Sequence, residues 1–151
     1  MIELRKKLDK IKFYEIDEVL RISKPNEFYS YLCNKLQTAK IACLICLYIG
    51  MDDECIEILK IIQERKLRRQ VTTVILDCSR GKSNKLFLEK IRELDIEEIF
   101  YYFDLKHFFL MPRTLKELSG VFHSKIFAFD DEAIITGANL DRAYFSDRLD
   151  R

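Results

Sequence analysis

The sequence predicts an α/β domain with a mixed, mainly parallel sheet flanked by helices. Three observations carry that reading. Apolar runs at 41–50, 71–77 and 96–103 are short and rich in Ile, Val, Tyr and Phe, as strands buried in a sheet are. Between them lie stretches whose apolar residues recur at helical spacing. The resulting order, α-β-α-β-α-β, is that of parallel strands joined by crossover helices.

The elements follow in order. Residues 1–21 form a charged lead-in, "MIELRKKLDKIKFYEIDE" and onward, with no apolar signal core and with acidic residues that a presequence avoids. The remainder, 22–151, reads as one domain. "KPNEFYSYLCNKLQTAK" is a helix: Pro25 stands near its start and Phe28, Leu32 and Leu36 share a face. "IACLICLYIG" is a buried strand. "DDECIEILKIIQERKLRRQ" is an amphipathic helix, with Asp52 and Asp53 at the positive end of its dipole and Arg68 and Arg69 at the negative end. "VTTVILD" is the second strand, closed by a loop "CSRGKSN"; "KLFLEKIREL" is a third helix and "IEEIFYYF" a third strand.

Over 104–120 the pattern breaks. Phe108, Phe109, Leu110 and Met111 precede a proline inside an otherwise loop-like segment. Two readings stand: a loop folding apolar side chains onto the core, or a lip entering a bilayer surface with Lys106, Arg113 and Lys116 at the head groups.

Composition sets bounds. The 151 residues suit one domain with a real core, and 48% hydrophobic with 34% charged residues is a globular balance. A net charge of +1 gives no electrostatic case for a nucleic-acid partner. The longest apolar run, 41–50, is about half of what a membrane-spanning helix requires, so membrane contact is expected to be peripheral. Of five cysteines, Cys43 and Cys46 form C-x-x-C, yet strand alternation sends them to opposite faces. Buried free thiols in a reducing compartment are expected, with neither a metal nor a cofactor.

The chemistry gathers near the C-terminal end of the sequence. "FHSKIFAF" read as a strand places His123 and Lys125 on one face; "DDE" turns and "AIIT" returns, delivering Gly137, Ala138 and Asn139 beside them. Imidazole, ammonium and carboxamide together make a receptor for a phosphate ester. Lys125 would offset the charge of the non-bridging oxygens and Asn139 would donate a hydrogen bond. Gly137 would let the backbone come close. His123 would attack phosphorus as a neutral imidazole and form a phosphohistidine.

The spacing H-x-K-x4-D, six residues, then G-x-N resembles the phospholipase D superfamily, and the chain looks like one half of that fold, with a single such motif. Ala138 stands where the family has serine, and Asn139 follows Gly137 by two positions rather than three. That form, with "TGANLDRAYFSDRLDR", is similar to the eukaryotic, mitochondrial-type phosphatidylglycerophosphate synthases. "KPNEFYSYLCNKLQTAKIACLICLYIG" and "VILDCSRGKSN" resemble further segments of that branch. The resemblance implies transfer of a phosphatidyl group from CDP-diacylglycerol to glycerol 3-phosphate, without a metal, at a membrane surface, with a mitochondrial location. It implies His123 as nucleophile, or as acid-base partner of another histidine, and Lys125 and Asn139 on the moving phosphoryl group. Asp130 belongs to the motif and in this family mostly braces the strand end. Asp150 matches the acidic residue that orients the histidine ring. Arg80 is a candidate for the glycerol phosphate or the CDP moiety, or a solvated loop arginine. Tyr48 closes the first strand, where sheets of this class place ligands.

The superfamily builds a site from two such motifs, because one histidine attacks while another protonates the leaving group. Here there is one, and the only other histidine is His107. Three arrangements compete: a second chain, a homodimer mate supplying the second half-site, or an inactive half. The rival function is a homodimeric phosphodiesterase or nuclease.

Overall fold

A computed structural model describes residues 16, 18–82, 84–102 and 124–147, the side chain of Ser79 excepted. Its elements run α1 (Pro25–Thr38), β1 (Ile41–Cys46), α2 (Asp53–Leu67), β2 (Val71–Asp77), α3 (Cys78–Gly81), α4 (Lys85–Glu93), β3 (Ile99–Tyr102), β4 (Lys125–Phe129), β5 (Glu132–Thr136) and α5 (Arg142–Ser146). The strands form one sheet in the order β3-β2-β1-β4-β5. β1 pairs parallel with β2, and β2 with β3; β4 is antiparallel to β1 and β5 to β4. The sheet is therefore mixed, its parallel part confined to three strands.

Local chemistry accounts for the elements. Pro25 opens α1, where its missing N–H costs nothing. Asp52 caps α2, its side chain accepting from Cys55 N at 3.1 Å, and Asn84 caps α4 by accepting from Phe87 N at 3.3 Å. The segment "CSRG", expected as loop, winds into the short α3. Gly81 ends it because a Cβ there would meet the Tyr101 ring at 2.9 Å and the Leu76 Cβ at 3.1 Å. Only a glycine lets this turn lie so close to the strands.

One face of the sheet holds Ala42, Leu44, Cys46, Val74, Leu76, Phe127 and Phe129, all buried, beneath Phe28, Leu32 and Leu36 of α1 and Ile58 and Ile62 of α2. Phe28 bridges the sheet and α5, with ring centroids 5.9 Å from both Phe127 and Phe145. Each such fully buried side chain contributes about 1.5–3 kcal/mol of transfer free energy. α2, through Ile58 and Ile62, and α4, through Phe87, join the same buried cluster. The opposite face carries Ile41, Val71, Phe100 and Ile135, which are 55–83% exposed. The helices expected around the sheet thus gather on one side of it among the described residues.

The strand alternation expected for C-x-x-C is present: Cys46 is buried under the helices while Cys43 is half-buried on the other face. Cys55 is also buried, but Cys33 and Cys78 are half-buried, so the expectation of uniformly buried thiols holds only for part of the set. Residues 103–123, including the Phe108–Met111 cluster and His107, lie outside the described residues.

Candidate active site

The C-terminal ends of β1 and β2 and the start of β4 lie together at one end of the sheet. Lys125, the first residue of β4, is 9% exposed and points to the helix-covered face with Phe127 and Phe129. Ile45 pairs with Ile126, so the register sets Lys125 opposite Cys46. The two are within electrostatic reach. Burial pushes the Cys46 thiol up to about 12, against a backbone hydrogen bond from Leu140 and the Lys125 charge, both of which pull it down. A buried ammonium is costly unless polar or anionic groups surround it.

Asn139 arrives from the other side of the hairpin. It is 5% exposed, and its Oδ1 accepts from Leu47 N at 3.2 Å across 92 residues of sequence. That bond fixes the orientation of the amide, because only oxygen can accept from a backbone N–H, so the Nδ2 donor is turned the other way. Further ties hold the two loops together. Gly50 N donates to Leu140 O at 2.7 Å and Arg142 N to Asp52 Oδ2 at 2.9 Å. Gly50 lies in this close approach: a Cβ would meet Asp52 Oδ2 at 3.0 Å, Cys55 Sγ at 3.2 Å and Asp141 Oδ2 at 3.3 Å, so a larger residue would press these side chains aside. Burial raises the Asp52 carboxyl, but hydrogen bonds from Cys55 and Arg142 outweigh it and hold it below its ordinary value. Gly137 is exposed in the bend after β5 and leads into the buried Ala138.

Tyr48 and Arg80 lie beside this centre. With Ile49, Gly81 and Asn84 they line a pocket of about 160 Å³. Tyr48 is half-buried; burial raises its phenol, the negative charge of Asp141 raises it further, and the nearby Arg80 charge opposes both. Arg80 is exposed, and its backbone N–H donates to Asp77 Oδ1 at 3.2 Å.

Asp130 is elsewhere. It follows β4, at the opposite end of that strand from Lys125, with φ 46°, and its carboxylate accepts from Ile41 N at 2.8 Å and Lys40 N at 3.1 Å. Those two bonds hold its carboxyl below the usual carboxylate range. The structure therefore brings Lys125, Asn139, Tyr48 and Arg80 to one end and puts Asp130 at the other. His123 and Asp150 lie outside the described residues. Sequence reasoning did not single out Asp141 or the structural tie from Asp52 to Arg142. The signal was available in "MDDE" and "NLDR", where an aspartate precedes a helix start as a cap does.

No family model matches the chain. Curated proteins do. A CDP-diacylglycerol–glycerol-3-phosphate 3-phosphatidyltransferase of Schizosaccharomyces pombe is 32% identical, aligned over 99% of this chain and 33% of its own length. The mitochondrial enzyme of that name from Gallus gallus is 29% identical over 86% of this chain and 27% of its own. The probable one of Dictyostelium discoideum is 28% identical over 86% and 25% respectively. The chain thus spans about a quarter to a third of the length of these relatives. Among solved structures, the phosphatidylserine synthase of Haemophilus influenzae superposes with a TM-score of 0.70 at 21% identity, covering 95% of this chain and 34% of that one. The resemblance read from the motifs and the α/β fold are both borne out.

Proposed function

We propose that this chain is a half-site of a CDP-diacylglycerol–glycerol-3-phosphate 3-phosphatidyltransferase, working at a membrane surface, with a second half-site supplied by a homodimer mate or another chain. Its curated relatives carry that activity in their names, several with a mitochondrial designation, and a mitochondrial membrane is part of this reading. The observation that carries it is the convergence of two buried polar side chains, Lys125 and Asn139, at the carboxyl end of the parallel strands, where open α/β sheets bind ligands.

The chemistry proceeds as two displacements. The His123 imidazole nitrogen attacks the phosphatidyl phosphorus of CDP-diacylglycerol while the bond from that phosphorus to the bridging oxygen breaks. CMP leaves with the electron pair and takes a proton from an imidazole of the second half-site. The primary hydroxyl of glycerol 3-phosphate then attacks the phosphohistidine, gives up its proton to that same imidazole and releases His123. Lys125 and Asn139 Nδ2 stabilise the oxygens of the phosphorus in flight, as preorganised donors do. Asp150 orients the His123 ring. Gly137 leaves room for the substrate beside the chain.

The test is CMP release from CDP-diacylglycerol vesicles, with and without glycerol 3-phosphate, by wild type and His123→Ala. Release and phosphatidylglycerophosphate formation lost in the variant are expected. Hydrolysis of a generic phosphodiester or single-stranded DNA without lipid turnover would overturn the reading in favour of a phosphodiesterase. Sedimentation as a monomer, with neither activity, would point to an inactive half.

A further inference from the structure

We infer that Asp52 is a positioning residue for phosphatidyl transfer: its carboxylate joins the start of α2 to the start of α5 and so holds Asn139 with its Nδ2 toward the transfer centre. This rests on the transfer reading above. The part of Asp52 is not contact with substrate but the placing of residues 137–141.

The segment that carries Asn139 needs outside support. The ladder between β4 and β5 ends where Thr136 pairs with Lys125, and α5 starts only at Arg142. Between them the backbone has one parallel bridge, Leu140 beside Ile49. Burial of Ala138 and Leu140, 3% and 0% exposed, sets how deep the segment sits. Its hydrogen bonds set which way Asn139 turns.

Four of those bonds come from the turn after β1 and the start of α2. Leu47 N donates to Asn139 Oδ1 at 3.2 Å, Gly50 N to Leu140 O at 2.7 Å, and the Cys55 thiol to the same carbonyl at 3.2 Å. The fourth runs the other way: Arg142 N donates to Asp52 Oδ2 at 2.9 Å. It closes the segment at its far end. Asn139 thus lies between an anchor on its own side chain and an anchor on the helix that follows.

A carboxylate suits this place because each of its oxygens has a separate task. Oδ1 accepts from Cys55 N at 3.1 Å and caps α2, while Oδ2 takes the first amide of α5. Both amides belong to helix starts, where N–H groups lack a partner in their own helix. Asp141 accepts from the next amide, Ala143 N, at 3.0 Å, so it does not stand in for Asp52. Asparagine caps a helix as well as aspartate does. It has one oxygen, however, and its Nδ2 would face a second donor. Substitution can therefore separate the two tasks.

The consequence for the reaction follows from what Asn139 has to do. A donor stabilises charge in a transition state when it is already in place, and a shift of about 1 Å can cost on the order of 100-fold in rate. Binding of the substrate in its ground state draws on other groups and changes less. Loss of the Asp52 tie should thus lower kcat and leave KM steady.

The test follows hydrogen exchange at single amides and CMP release in variants of the full chain. In Asp52→Asn the Leu47 and Gly50 amides should exchange at least about tenfold faster, while Val74 in β2 and Ile62 in α2 keep their rates. CMP release per folded molecule should fall about 10- to 100-fold, with KM for CDP-diacylglycerol unchanged. Asp53→Asn, which removes an exposed charge from the first turn of the same helix, should alter neither. Arg142→Pro attacks the bond from its other side by deleting the N–H. Proline is tolerated at a first helical position, and the extended Asp141 before it, φ −152° and ψ 144°, admits one. This variant should reproduce Asp52→Asn. Arg142→Ala, which keeps the N–H and loses only the side chain beside Glu54, should not. Unchanged Leu47 exchange in Asp52→Asn, or equal acceleration at all four amides, would overturn the inference, because Asp52 would then be idle in the loop or a general support of the fold. Failure here is separable from failure of the transfer reading. CMP release that requires His123 but ignores Asp52→Asn sinks this inference and spares the reaction. Leu47 exchange that depends on Asp52, in a chain that releases no CMP, sinks the reaction and supports the tie.

Discussion

The two ends of the sheet solve opposite problems with similar residues. Where β1 and β2 begin, Arg65 of α2 is 1% exposed and its guanidinium donates to the carbonyls of Leu36, Ala39 (2.7 Å), Lys40 (3.4 Å) and Val71 (2.9 Å) and to Thr72 Oγ1 (2.8 Å). Those carbonyls include the unsatisfied C-terminal groups of α1, which a cation suits. Beside it Asp130 takes the amides of Lys40 and Ile41. A cation and an anion here serve the backbone. Where β1 and β2 end, Arg80 lines a pocket, Lys125 is buried at the start of β4, and Asn139 uses only one side of its amide on the backbone. Charge at the first end is spent on holding the fold; charge at the second is what the proposed function assigns to a ligand.

That contrast can be broken by substitution, and the largest effect belongs at the fastened end. Arg65→Met should lower the unfolding free energy by about 3 kcal/mol or more, since buried carbonyls left without a donor cost about 1–3 kcal/mol each. Urea denaturation measures it. A loss below about 1 kcal/mol would show that water replaces the guanidinium and that this end is less closed than the geometry indicates. Next, Lys125→Gln should reduce phosphatidyl transfer by about 100- to 1,000-fold, the range for removing one preorganised stabilising group. Urea denaturation of the same variant separates loss of the transfer group from loss of the fold. Equal activity with lower stability would reverse the assignment of the two ends.

Asn139 sharpens the comparison because one side chain serves both purposes. Asn139→Ala should cost about 1–3 kcal/mol, through the orphaned Leu47 N–H, and abolish transfer. Asn139→Asp keeps an oxygen for Leu47 and removes the N–H donors, so it should fold better than the alanine variant and remain at least about 100-fold impaired. An aspartate variant with normal transfer would remove Nδ2 from the mechanism.

The smallest effect is a pH dependence. The folded-state carboxyl of Asp130 is held below its ordinary value by the amides of Ile41 and Lys40. Its contribution to stability is therefore fully present above the unfolded pKa, about 4, and is lost as pH falls from there through the lower folded value. Asp130→Asn should flatten the fall in urea midpoint over that acid window. An unchanged slope would mean that the two amide bonds do not distinguish the ionised from the neutral form.

Legibility followed the length of the signal. Strands such as "VTTVILD" and helices with three or more apolar turns stood out, because burial on one face imposes a period that sequence displays. Lys125 and Asn139 were readable because the hairpin between them is short and its register fixed. Arg65 was not read, although it continues the Ile58, Ile61, Ile62 face by one turn. Its burial answers the end of a different helix, which no local pattern encodes. The four-residue α3 was missed for a related reason. Its turn is set by contact with Leu76 and Tyr101, and "CSRG" alone has the composition of a loop. Asp130 braces the start of β1 as the resemblance implied: it shares a signature with Lys125, yet the length of β4 keeps the two at opposite ends of the sheet.

The bond from Leu47 to Asn139 also fixes an order of events. Its partners are 92 residues apart, as the Asp52 and Arg142 pair are 90 apart. Neither can form while the chain is still local in its contacts, and closing such long loops is the slow part of building a sheet. The three parallel strands with α2 and α4 can therefore collapse first, and Lys125 and Asn139 come together at the ends of β1 and β2 only when the hairpin docks. A molecule that opens by letting β4 and β5 swing away would switch itself off while keeping most of its hydrophobic centre intact.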